Sequence, residues 1–235
     1  MTEQNKVPRN DRTIGVVYLL YFVSAILSLV LLRSVTVPGN VAATAQNIVL
    51  HESTFRASFA LNLVATAFYV TLTALLYYLL VSVNKTISLV AAFLSLMGCA
   101  VQTIGSLFQL APLVVTSSAG SMAAWNSHQL QALSAIFLTF QAQAFNVGLA
   151  FFAFYCILLG YLVWRSTFLP RILGALLLTA GVGWLTFLFP PIATQLSRYT
   201  QILGFLAEFS LMLWLLIKGV DTRVFKEHEN VLAAV

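Results

Sequence analysis

Long stretches of the chain carry no alternation of apolar and polar positions at all; apolar residues run on uninterrupted, and charges fall between the runs. Six stretches are long enough to cross a bilayer as helices, near residues 13–32, 55–83, 87–111, 131–164, 172–190 and 200–218. The first, "TIGVVYLLYFVSAILSLVLL", exceeds the roughly 7–15 residues of a signal-peptide core and has no small-residue cleavage pattern behind it, so it reads as a retained span. The pattern predicts an all-α, polytopic membrane protein: a six-transmembrane-helix bundle over 13–218, with tails at 1–12 and 219–235.

Lys and Arg orient it. With the N-terminus inside, nine basic residues (Lys6, Arg9, Arg12, Lys85, Arg165, Arg171, Lys218, Arg223 and Lys226) fall inside and three (Arg33, Arg56 and Arg198) outside. That bias predicts a multi-pass protein of the cytoplasmic (inner, plasma) membrane with both termini cytoplasmic.

The loops add detail. In the first outer loop, "TVPGNVAATAQNIVLHESTFR", Asn40 follows a Pro-Gly turn and suits a helix N-cap. Val41, Ala45, Ile48 and Val49 then line one face of a short interfacial helix. Ser53 is the expected cap of the second span, and Glu52 and Arg56 form an exposed i, i+4 pair. The second outer loop has no Lys, Arg, Asp or Glu from Pro112 to Gln131 and offers Trp125 as a headgroup-level anchor. The fourth stretch would be about 50 Å long as a straight helix against a core of about 30 Å, so its first third projects, kinks or tilts. The matching loops differ too much in length for an inverted repeat of two three-span halves.

Composition sharpens the class without changing it. Hydrophobic residues make up 60% and charged residues 8%, with a mean hydropathy of +0.92, far from a soluble domain. The net charge of +5 is dispersed, so no nucleic-acid surface is expected. Cys99 and Cys156 lie at different depths of their spans and read as free, buried thiols. The sequence has no HExxH, no aspartate in a span, no nucleotide fingerprint and no His/Cys ligand cluster. His51, His128 and His228 lie in loops or the tail, and "SAGS" at Ser118–Ser121 is no nucleophile elbow. "NKT" at Asn84 matches a glycosylation sequon on the wrong side of the membrane. Catalysis therefore has no nucleophile–base pair, and no metal or cofactor is expected.

One acid interrupts the last run, "GFLAEFSLMLWLLIKGV". Glu208 stands midway between Arg198 and Lys218. Ionised there it would cost roughly 2.5–3.5 kcal/mol on insertion scales. No basic residue shares its depth, so protonation or hydrogen bonding by neutral donors is expected. Tyr21, Tyr69, Thr73, Tyr155 and Thr179 lie at the same level and supply hydroxyls. Nearer the outer face, Asn62, Gln102, Gln109, Gln141, Gln143 and Asn146 form a second, uncharged polar layer. Such amides turn inward, either as glue between helices or as the wall of a pocket above Glu208. Gly174, Gly181 and Gly183 suit close helix packing.

"TVPGNVAATAQNI", "FNVGLAFFAFYCILLGYLVWRS", "FLPRILGALLLTAGVGWL" and "AEFSLMLWLLIKGV" follow one another in an order and spacing that resembles a bacterial integral membrane family, domain of unknown function 4386, over nearly the whole chain. The resemblance implies a six-span bundle of the cytoplasmic membrane, and its last-span Glu-x-Ser pattern is met by Glu208 and Ser210. In that pattern an acid is usual where Asn62 stands, and histidines are common near Gln141 and Tyr155. This chain departs there, which weakens any metal or proton-relay chemistry carried over.

The expected function is non-enzymatic: binding of a small or lipid-like ligand, or of a membrane partner, through the outer half. The alternative is a proton-coupled carrier that uses Glu208, and an intramembrane enzyme ranks behind both. The bilayer is the one certain partner of such a chain, and its oligomeric state is open.

Overall fold

The structure, a computed structural model, describes residues 11–117 and 126–220. Trp125, Ser118–Ser121, Lys6, Arg9, Arg223, Lys226 and His228 lie outside the described residues.

Among the described residues the chain is helical, without strands. The helices are α1 (Asp11–Val35), α2 (Val41–Leu50), α3 (Glu52–Leu80), α4 (Lys85–Ser117), α5 (Ser127–Arg165), α6 (Arg171–Trp184, followed by a 3₁₀ turn at Leu185–Leu188) and α7 (Pro190–Ile217). Six of them are long and apolar enough to span a membrane, α6 with its 3₁₀ turn. The exception is α2, the short helix of the first long loop. Its cap is the expected one: Asn40 Oδ1 accepts from Ala43 N at 2.9 Å. Ile48 is buried with Val35, Phe55 and Leu113, so α2 lies across the ends of α1, α3 and α4. Val49, expected on its apolar face, is exposed.

Two expectations at helix starts change. Ser53 does not cap α3, because only His51 separates α2 from α3, and the new helix has already begun at Glu52. The last helix begins at Pro190, well before the apolar run. Its exposed first turns carry Thr194, Gln195 and Arg198, a polar surface that hides a helix from an apolarity reading. Pro190 opens it because the missing N–H is one the first turn does not need. The sequon residue Asn84 turns out to cap α4, its side chain accepting from Ile87 N at 2.9 Å. Glu52 and Arg56 pair at 2.6 Å on the surface.

The six long helices close a ring in chain order. Each packs on its chain neighbours, and α7 returns to α1. Gly15 lies against the backbone of Leu216, so α1 starts where α7 ends, and the described ends of the chain meet. Between α5 and α6 the backbones also touch: a Cβ on Gly174 would stand 2.6 Å from Trp164 N and 2.7 Å from Gly160 O. Without a side chain there, the backbones touch and dispersion contacts replace the missing hydrophobic drive between helices in lipid.

The two ends of the ring differ. At the end holding the termini, Tyr18, Leu72, Leu76, Leu159, Leu162, Leu211 and Leu215 fill the axis as one core. At the end holding α2, the inward positions are small or polar: Ala25, Ser28, Ala65 and Ser106. Side chains of that size cannot meet across the axis, and a cavity remains. Helix lengths add to it. The continuous α5 spans 39 residues, about 58 Å, whereas α6 spans 14, about 21 Å. The first turns of α5 therefore run past the end of α6 and pack against α2. Beyond Trp184 the 3₁₀ turn at Leu185–Leu188 takes the helix's place between α5 and α7 and touches both.

Candidate functional site

The cavity measures about 570 Å³ and is walled by all six long helices. Glu208 forms part of it, 6% exposed, where the filled half of the ring gives way to the open half. The carboxyl is held by neutral donors from three other helices. Tyr69 on α3 donates to Glu208 Oε1 at 3.1 Å. Cys156 on α5 approaches the same oxygen at 3.9 Å through its thiol. Tyr18 on α1 is a third neighbour, its hydroxyl also directed at the carboxyl. Among the described residues no cation lines the cavity or bridges to Glu208. The acid is satisfied by neutral hydrogen bonds, one of the solutions its depth requires.

Helix periodicity explains the grouping. Tyr18, Tyr21 and Phe22 fall at i, i+3 and i+4 of α1, and Phe205, Glu208 and Phe209 do the same on α7. The two faces meet: Phe22 packs edge-on against Phe205 at 5.5 Å and Phe209 at 5.8 Å. Tyr21 stands edge-on to Tyr69 at 4.7 Å, and Tyr69 to Phe152 at 5.1 Å. Glu208 is thus the one acid in an aromatic collar.

The expected hydroxyls divide. Tyr69 bonds the acid, Tyr21 shares its cavity, and Tyr155 lies 6.3 Å from the Tyr69 ring, centroid to centroid. Thr179 does not join them: it is exposed on α6 and donates to its own helix at Ala175 O and Leu176 O. Depth alone did not give its azimuth, and it faces outward. Thr73 bonds Tyr69 O and Ser95 Oγ instead. Ser210 bonds Leu206 O and leaves Glu208 alone. Sequence reading missed Tyr18 and Cys156; the i, i+3 relation of Tyr18 to Tyr21 was the available signal.

The amide layer divides too. Asn62, Gln102, Gln109, Gln141 and Asn146 all line the cavity, whereas Gln143 is exposed on the outer face of α5. Gln143 lies two residues from Gln141, which on a helix turns it away. Gln109 acts as glue, its Nε2 donating to Ser58 Oγ at 2.8 Å while Ser28 Oγ donates to Ser58 O at 2.7 Å. Gln141 Nε2 reaches Gln109 Oε1 at 3.4 Å and extends this link to α5. Among the described residues the side chains of Asn62, Gln102 and Asn146 find no hydrogen-bond partner, and each lines the cavity. Gly148 lets Gln102 lie flat on α5, since a Cβ there would stand 3.0 Å from Gln102 Nε2.

One turn from Glu208 on the same face of α7, Gly204 is covered by Trp184, which donates from Nε1 to Thr200 O at 3.0 Å and ties the end of α6 to α7. The rim carries exposed residues of three helices: Ile26 and Leu29 of α1, Ala142 and Phe145 of α5, Gln201 and Phe205 of α7. Among the described residues no group of His, Cys, Asp and Glu could hold a metal ion.

The pattern of domain of unknown function 4386 (DUF4386) matches residues 13–219, the whole of the ring. The chain belongs to the DUF4386 family. It is also 30% identical over 153 residues to an uncharacterized protein of Archaeoglobus fulgidus, a match covering 64% of this chain and 76% of the relative. No solved structure matches. Within this DUF4386 member, the matched region takes in the collar, the amides and the acid together.

Proposed function

We propose that this protein is a non-enzymatic binder of a small, lipid-like ligand, held in the cavity above Glu208. The observation that carries the reading is the wall itself: free amides of Asn62, Gln102 and Asn146 toward one end, aromatic rings and a single carboxyl toward the other. A volume of about 570 Å³ lies within the range of ligand pockets, and an apolar lining with few convergent polar groups is their usual make-up. The rim at Ile26, Leu29 and Phe205 lies on surface that would face acyl chains, which favours a ligand entering from the bilayer. We place the cavity in the outer half of a bacterial cytoplasmic membrane, because Arg12, Lys85, Arg165, Arg171 and Lys218 gather at the opposite end.

A thermal-shift screen of amphiphiles on the full chain in nanodiscs tests this. A ligand should raise the melting temperature of the wild type and leave an Ala65→Phe variant, its cavity filled, unchanged. Equal shifts in both would reject the cavity as the site.

A second reading is a proton-coupled carrier, favoured by one observation. The cavity stops at Glu208, and the other half of the ring is closed by Leu72, Leu76, Leu211 and Leu215, as in a carrier open to one side. It requires that half to part. In proteoliposomes Glu208→Gln should then keep binding and lose ligand-driven proton movement; an unchanged proton flux would end this reading.

A further inference from the structure

We propose that the ligand is an organic cation, a substituted amine or quaternary ammonium on an apolar body, with its nitrogen at Glu208 and its body toward the rim. This rests on the cavity-binding reading and narrows it to one chemical class.

Three observations lead there. Among the described residues Glu208 is the only Asp, Glu, Lys, Arg or His side chain on the cavity wall, so the one charge that wall can offer is negative. An anionic headgroup finds no cation there, and a ligand ammonium supplies the missing counter-charge. Next, Tyr21, Phe22, Tyr69, Phe152, Trp184 and Phe205, drawn from five helices, share that wall with the acid. Aromatic rings around a site are the means by which proteins bind alkylated ammonium groups, whose charge is attracted to ring faces and whose methyl groups gain dispersion contacts. Finally, the bonds from Tyr69 and Cys156 both end on Oε1, fixing the carboxyl from two helices without neutralising it. A group needed only for packing would be as well served by an apolar side chain, since buried ionisable groups are costly to keep in a bilayer.

The proton balance is simple. A neutral amine meeting the protonated acid takes its proton: the O–H bond breaks, an N–H bond forms, and a carboxylate–ammonium pair results. A quaternary ammonium cannot accept it, so the acid releases its proton to water as the ligand enters. Neither case needs a further reactant.

The test uses the full chain in nanodiscs, with empty nanodiscs subtracting partition into lipid. Three probes share one apolar body: phenylbutyl-trimethylammonium, phenylbutanol and phenylbutanesulfonate. The ammonium should bind about tenfold tighter than the alcohol or better, and the sulfonate more weakly than both. Glu208→Gln should erase the ammonium's advantage over the alcohol. Should that variant fail to fold, Phe205→Leu decides, because Phe205 is half-exposed. It should lower the ammonium's affinity several-fold more than the alcohol's, since only the ammonium gains from the ring face. Equal binding of ammonium and alcohol, or an advantage that survives both substitutions, overturns the cation assignment while the cavity reading stands. Failure of every probe, neutral ones included, overturns both.

Discussion

The hydroxyl of Tyr69 donates to Glu208 Oε1 across 3.1 Å, joining residues 139 positions apart on α3 and α7. Those helices are not neighbours in the ring, so the bond crosses its axis where the core ends and the cavity begins. A double-mutant cycle of Tyr69→Phe and Glu208→Leu should give a coupling of about 0.6 kcal/mol, and at most about 1.7, typical of hydrogen bonds inside membrane proteins. Unfolding in a mild detergent measures it. A coupling of zero would mean that the two groups do not meet.

The contact between α5 and α6 makes a second prediction. Gly174→Leu forces a side chain into the backbone of Gly160 and Trp164. It should cost roughly 1–3 kcal/mol by overpacking and appear as a lower melting temperature. Gly183→Ala should cost far less, because its Cβ would meet only the Thr200 methyl at 3.3 Å, a tight contact with a side chain rather than with backbone.

Capping supplies a third. Asn40→Ala removes the acceptor for Ala43 N and should destabilise α2 by about 1 kcal/mol. Hydrogen exchange should quicken over Val41–Leu50, with the six long helices unaffected.

Sidedness can be read directly. A cysteine at Glu52 should react with an impermeant maleimide applied to intact cells, and one at Lys85 only after lysis. The reverse pattern would invert the orientation drawn from the basic residues. Both positions are exposed, whereas the native Cys99 and Cys156 are buried and give little background.

Residue pattern made the six spans, α2 and its Asn40 cap, and the placing of Glu208 legible, because each rests on local spacing and on depth counted along one helix. The azimuth of each residue was not. Depth counting put Thr179 level with Glu208, yet it faces away; Gln143 reads as part of the amide layer, yet it projects outward. In a soluble helix amphipathicity reveals the inner face. In a span the lipid side is as apolar as the core, so the signal is lost. The cavity was hidden for the same reason: Ala25 and Ala65 are ordinary in an apolar run until the ring brings them to one axis. The start of α7 was obscured by polar residues on exposed turns.

The central claim is that the ring is open above Glu208 and closed below it. Methyl methanethiosulfonate, small and membrane-permeant, tests this on cysteines at Asn62 and Leu72, introduced singly on α3 into a chain with Cys99 and Cys156 replaced. Asn62 lines the cavity, and Leu72 is fully buried in the filled half. Modification should be fast at 62, slowed by a bound cavity ligand, and absent at 72. Equal resistance at both positions would show a ring packed solid throughout, and would contradict that claim.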